Sequence, residues 1–287
     1  MFGSHVLDVV IGLIFIFMSV SLATTAITEA IASTLKLRHR TLRSGVQALL
    51  NDKDFTGLAL QIYNEALVNP LSSGVAKSAA TVSTIPAYIQ STRFAESLVR
   101  VVSAGEKEGS LSDAVNAIQD QQLREALSAL LQKARGSQEE FERQIAAWFD
   151  DTMDRVSGWY KRKTQLIGFL VALFISIIFN ADAIHAGASL FQATNLQAQL
   201  ASNDMPTAAQ AAKTLSTMSL IGWENQPDLL AAGIPTIAMT LAGWLMVAAA
   251  SLLGAPFWFD TLQRVARISG TGPAQRIPEE PSKTPPD

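Results

Sequence analysis

The chain has 287 residues, of which 48% are hydrophobic and only 16% charged, against about 25% charged in a typical globular domain. Its formal charge of −3, without any concentrated basic stripe, excludes binding to nucleic acid through bulk charge. Cysteine is absent, which excludes disulfides, thiolate metal sites and cysteine nucleophiles.

The first apolar run, Val9 to Thr28, supplies the roughly 20 residues that cross a bilayer core of about 30 Å. Ser4 is a good N-cap for its helix. A secretory signal needs a basic region ahead of its apolar core. Here no Lys or Arg precedes Lys36, so the run is expected to be a retained anchor. Thr24 and Thr28 share one helical face, as do Thr25 and Glu29. Glu29 is the ionisable group of this span, either at the inner interface or on a polar path. Helical spacing resumes at Leu42, Val46, Leu49 and Leu50, so the helix is expected to continue inward as far as Asn51.

The stretch that follows reads as helices throughout, with no alternating strand pattern. Helices are expected from about Phe55 to Leu67, from Ser91 to near Gly105, from Ser110, and through Leu123 to Leu131. A Ser/Ala/Thr-rich connection at 69–92 separates the first two. Ser137-Gln138-Glu139-Glu140 is a capping-box start. From there a rod of roughly 40 residues, about 60 Å long, is expected to run to Asn180. Phe141, Ile145, Trp148, Phe149, Thr152, Val156 and Trp159 form its amphipathic lower half, and a second apolar run, Thr164 to Ala181, its upper half. Residues 182–230 suggest two helices broken at Asp204-Met205-Pro206, then an apolar patch at Leu220, Ile221 and Trp223. A third run extends from Leu229 to Phe259. The Pro-rich tail after Ser269 reads as disordered.

Lys and Arg flank the runs unevenly. Lys36, Arg38, Arg40 and Arg43 follow the first, while Arg155, Lys161, Arg162 and Lys163 precede the second. Only Lys213 lies between the second and third, and Arg264 and Arg267 follow the third. The positive-inside rule then places the N-terminus outside and the C-terminus inside. The expected fold class is an all-α integral membrane protein with three transmembrane helices and a helical cytoplasmic domain. Its parts are an outer tail and first span (1–34), the cytoplasmic domain (35–163), the second span (164–184), a periplasmic helical segment (185–230), the third span (231–259) and a cytoplasmic tail (260–287).

Motifs with chemical content are few. Asp150-Asp151-Thr152-Met153-Asp154 spells DDxxD, a spacing that can hold Mg²⁺ against a diphosphate. No second acidic cluster accompanies it, and Asp151 and Arg155 make an ordinary i,i+4 pair. His5, His39 and His185 are too dispersed to converge on a metal or to act as a general-base site. No nucleotide-binding or hydrolase motif occurs, so neither catalytic residues nor a cofactor is expected. Trp-Phe-Asp occurs twice, at 148–150 and 258–260, with Trp159 and Tyr160 beyond the first copy. The copies are either separate interfacial segments or a collar beneath the membrane, although Trp148 would lie about 24 Å from the boundary on a vertical helix. Ala250-x-x-x-Gly254 and Ser251-x-x-x-Ala255 offer a small-residue packing face in the third span.

The segments Trp148-Phe149-Asp150-Asp151-Thr152-Met153-Asp154-Arg155-Val156-Ser157-Gly158-Trp159-Tyr160-Lys161-Arg162 and Gly254-Ala255-Pro256-Phe257-Trp258-Phe259-Asp260 resemble an uncharacterised family of bacterial three-span inner-membrane proteins. The resemblance implies the same layout and brings no catalytic residue with it. The expectation is therefore a non-enzymatic anchor or scaffold in the bacterial inner membrane. Its partners would be the bilayer and either a second copy or another protein, not nucleic acid. An oligomeric pore or a Mg²⁺-dependent enzyme are the alternatives.

Overall fold

The computed structural model describes residues 2–71, 75–77, 82, 86–104, 110–201, 221–223 and 233–270, with side chains omitted at 2–5, 195–201 and 268–270. Among the described residues the secondary structure is wholly helical. The expected break at Asp204–Pro206 and the tail beyond Gly270 lie outside them. The chain divides into two compact units, Met1–Glu29 with Gln165–Asp287, and Ala30–Thr164.

Helices α1 (Phe2–Thr34) and α2 (Leu37–Leu49) are separate, contrary to the continuous helix expected from residue 4 to residue 51. Lys36 adopts a left-handed conformation, φ 49°, which is costly for a side-chain-bearing residue. Beyond the turn, α2 buries Leu37 and places Val46 and Leu49 in the core of the second unit. In the same unit follow α3 (Leu58–Asn64), α4 (Ser91–Ala104), α5 (Leu111–Asn116) and α6 (Gln121–Lys133), each of α3 to α6 packing on its sequence neighbour.

Carboxylates start several of these helices. Asp52 accepts from the amides of Thr56, Gly57 and Ala59, so the loop before α3 folds around one side chain. Ser110 and Asp113 form a reciprocal capping box on α5, and the Ser110 hydroxyl and amide hold the Asp113 carboxyl below its usual range. Asp120 caps α6 through Leu123 N and also accepts from Asn51 Nδ2 at 2.7 Å. Donation from Leu123 and Asn51 likewise lowers its pKa.

Helix α7 runs unbroken from Gln138 to Ile178. Ser137 receives the Glu140 amide at 3.3 Å. The return half of the expected capping box is displaced, because the Glu140 carboxylate is engaged by Gln144 and Arg143 instead. Within the second unit, α7 supplies Phe141, Ile145 and Phe149 to a core with Phe94, Leu98 and Leu127. Phe149 stacks on Phe94 with centroids 4.3 Å apart, and Phe55 meets Tyr63 edge-on at 5.1 Å. The Tyr63 hydroxyl is buried without a partner. Burial pushes its pKa up, opposed by the nearby Arg43 cation.

The first unit contains α1 as far as Glu29, α7 from Gln165, α8 (Ala183–Ala201), α9 (Ile234–Ser251) and α10 (Ala255–Gly270). The segment 164–184, expected as one straight span, breaks between Ile178 and Ala183, and α8 departs from α7 at 50°. The segment 231–259, also expected as one span, is two helices. Gly254 at φ 84° makes the turn between them, a conformation free of penalty only for glycine. Pro256 then occupies the first turn of α10, where its missing N–H costs nothing.

By length and composition, α1 and α9 are each apolar enough to cross a membrane, and the bent α7–α8 pair makes a third span if counted as one. Leu190 lies over Gly12 and Leu13 against Gly187, so α8 runs antiparallel beside the N-terminal half of α1. Ala181 and Ala183 share a cluster with Phe17 and Val20, near the midpoint of the Val9–Thr28 run.

Candidate functional site

The most elaborate polar arrangement in the first unit surrounds the α7–α8 break, and every part of it follows from leaving a helix unfinished among apolar neighbours. Asn180 takes φ 46°, a left-handed conformation that Asn tolerates better than most residues. This ends α7 and frees carbonyls that would have bonded to the next turn. The Trp223 indole donates to Ile178 O at 3.1 Å, and the Gly222 amide to Phe179 O at 2.8 Å. Asn180 Nδ2 donates to Gly222 O at 2.8 Å while its Oδ1 accepts from the Trp244 indole at 3.0 Å. Asp182 restarts the helix, accepting from the amides of Ile184 and His185 at 2.8 and 3.1 Å. That is an ordinary N-cap, but this carboxylate is only 4% exposed.

Helix α9 seals the break at Gly243. A Cβ there would collide with Asp182 Oδ1 and Cγ, so glycine is what allows α9 to approach the capping carboxylate. One residue on, Trp244 supplies the indole that holds Asn180 and meets Trp223 at a centroid distance of 5.8 Å. Sequence reasoning missed Asn180, Asp182, Gly243 and Trp244. The available signal is two Asx residues at the close of an apolar run, which in sequence reads simply as the end of a span.

Elsewhere in this unit, the Thr25 hydroxyl returns to Ser21 O at 2.8 Å on its own helix. Thr24 and Thr28 do share a face, and both hydroxyls are buried without a partner. Glu29 is exposed. The small-residue face expected in the third span ends early, because Gly254 belongs to the turn rather than to α9. Ala250 contributes its carbonyl, which accepts from the Trp258 indole at 2.9 Å. Trp258 also packs on Phe17 at 4.8 Å, while Phe259 is exposed.

In the second unit, the DDxxD carboxylates divide between two directions. Asp150 and Asp154 line a cavity of about 420 Å³ between α2 and α7, with Phe149 and Met153 in its floor and Arg38, Tyr88 and Tyr160 among its other walls. Asp151 is exposed outside it. Beyond these two carboxylates the cavity wall adds an arginine and two tyrosines but no further acidic side chain. No group of three or more His, Asp or Glu side chains that could hold a metal ion occurs among the described residues. Trp148 and Trp159 line a separate groove with Arg155 and Gln122. The two Trp-Phe-Asp copies thus take different roles inside their own units: Phe149 is a core residue, while Phe259 stands at the surface.

No protein family, curated protein or solved structure matches the chain.

Proposed function

We propose that the chain is a three-pass protein of the bacterial inner membrane that anchors a cytoplasmic helical docking domain, with the broken α7–α8 pair as its middle span. One observation carries the reading. Among the described residues, all but five of the exposed large apolar side chains belong to the first unit, the five being Leu35, Leu71, Val75, Tyr88 and Trp159. All but two of the buried polar side chains, Asn69 and Ser97, belong to it as well. Apolar groups outside and polar groups inside suit hydrocarbon as the solvent, where a backbone break survives only with its freed groups satisfied by protein. With α8 continuing the span, the outer segment starts near residue 195 rather than 185.

The docking role is supported by how the carboxylates are used. Asp52, Asp113, Asp120 and Asp182 all cap helices. The second unit also offers a groove of about 450 Å³, lined by Leu58, Val101, Val102 and Ile118 together with Asn51, Gln61 and Gln119. A concave lining that mixes apolar and uncharged polar side chains suits a protein partner. A second reading, an oligomeric pore, is favoured by the buried Asp182 carboxylate beside the break, since ionisable groups within spans commonly mark ion paths.

The natural lack of cysteine allows a clean test. Ser202→Cys is expected to react with an impermeant maleimide on intact spheroplasts, and Ser128→Cys only after lysis. Reaction of both from one side would overturn the three-pass topology. Cross-linking from the groove, at Gln61→Cys, should capture a discrete protein for docking to stand. For the pore reading, liposomes bearing the protein should conduct, and Asp182→Asn should change the flux.

A further inference from the structure

We propose that the start of α2 and the segment Trp159–Lys163 of α7 together form a binding face for anionic phospholipid headgroups of the inner leaflet. The inference rests on the membrane reading above and names a ligand that reading does not require. Lys36, Arg38 and Arg40 are exposed at the α1–α2 turn, and Lys161, Arg162 and Lys163 are exposed on α7. The Arg38 guanidinium lies 5.8 Å from the Tyr160 ring centroid, which brings the two basic segments side by side. In sequence, Lys163 immediately precedes the second apolar run, and Lys36 follows the first by eight residues.

Among the described residues these six cations have no carboxylate partner. The ion pairs among the described residues are Arg93–Glu96, Arg100–Glu65 and Arg143–Glu140, and none touches the cluster. The acidic side chains facing it are Asp150 and Asp154, which share the cavity wall with Arg38. Asp154 lies about 10 Å before Lys161 along the helix, so charge on α7 is segregated, acidic first and basic toward the span. Trp159, 56% exposed, stands in the basic stretch. Tryptophan gathers where hydrocarbon meets headgroups, which accounts for one of the exposed apolar exceptions in an otherwise water-adapted unit. Phosphates supply the missing counter-charge, and each basic residue near such a surface strengthens attraction roughly fivefold.

The test uses the full chain in mild detergent, offered equimolar phosphatidylglycerol and phosphatidylcholine, with retained lipid counted by native mass spectrometry. Phosphatidylglycerol is expected to be retained at least tenfold over phosphatidylcholine. That preference should collapse in the Arg38→Gln/Lys161→Gln/Lys163→Gln variant and survive in Lys161→Arg/Lys163→Arg. Neutralising Arg124 and Lys133 on α6 with Arg135 just beyond it should leave it unchanged. Equal retention of both lipids by a folded wild type, or equal loss from the α6 variant, overturns the proposal. Full displacement of the lipid by millimolar inorganic phosphate also overturns it, in favour of a soluble-phosphate site. Extraction of the wild type from membranes by alkaline carbonate would instead overturn the membrane reading, which separates the two failures.

Discussion

The two units solve opposite problems with the same element. In the second, large apolar side chains such as Phe94, Ile145 and Phe149 are buried, and carboxylates cap helices at the surface. In the first, Phe15, Leu22, Leu170 and Phe174 are exposed, while Ser21, Ser176, Asn180, Asp182 and Ser251 are buried. On the proposed membrane reading, burial follows the solvent a face meets rather than residue type. A helix end in the second unit can leave carbonyls to water, whereas the 50° break in the first recruits two indoles, an amide side chain and a backbone amide.

The contrast can be broken most forcefully at Phe149. Truncation to alanine removes a buried ring stacked on Phe94 and should cost about 3–5 kcal/mol, read as a drop in the unfolding temperature of the domain. Phe174→Ala should barely shift stability in detergent, because the side chain is 63% exposed. If the two truncations are equally costly, the inverted-burial argument fails. A charge reverses the ranking: Phe174→Lys should impair membrane insertion by about 3 kcal/mol, measured as the inserted fraction in a translocation assay. Gly243→Ala comes next. Its methyl group must displace Asp182 or α9, at a cost of about 2 kcal/mol, and cysteine reactivity at position 182 should rise in the double variant. Trp244→Phe keeps the ring but orphans Asn180 Oδ1, for about 1 kcal/mol.

The smallest effect is in the second unit. Because burial raises the Tyr63 pKa in the fold, the neutral phenol is favoured there. Its contribution is complete below the unfolded value of about 10 and is lost as pH rises beyond it. Tyr63→Phe should therefore flatten the alkaline decline in stability, followed by denaturant melts between pH 8 and 11. An unchanged slope would place the ring elsewhere than in the core.

Much of this architecture was legible because apolar run length and helical spacing are strong signals. The Ser137 start of α7 and the all-helical character both rest on local residues. What was illegible depends on neighbours. Nothing in Leu35-Lys36-Leu37 marks a left-handed turn, and the change of direction is set by which residues reach the core. Asn180 and Asp182 looked like the end of a span because polar residues usually mark an interface. Only Gly243 and Trp244, some sixty residues away, reveal them as interior. In the repeated Trp-Phe-Asp each tryptophan packs partly buried against its own unit's apolar cluster, while the phenylalanines differ, Phe149 buried and Phe259 exposed.

The central claim, that lipid solvates one unit and water the other, is tested most directly by a membrane-soluble carbene photolabel applied to native membranes and mapped by residue. The account predicts labelling at Phe15, Leu22, Leu170, Phe174 and Leu245 and none from Val46 to Phe149. Labelling within that second stretch, or none at the first five positions, would contradict it.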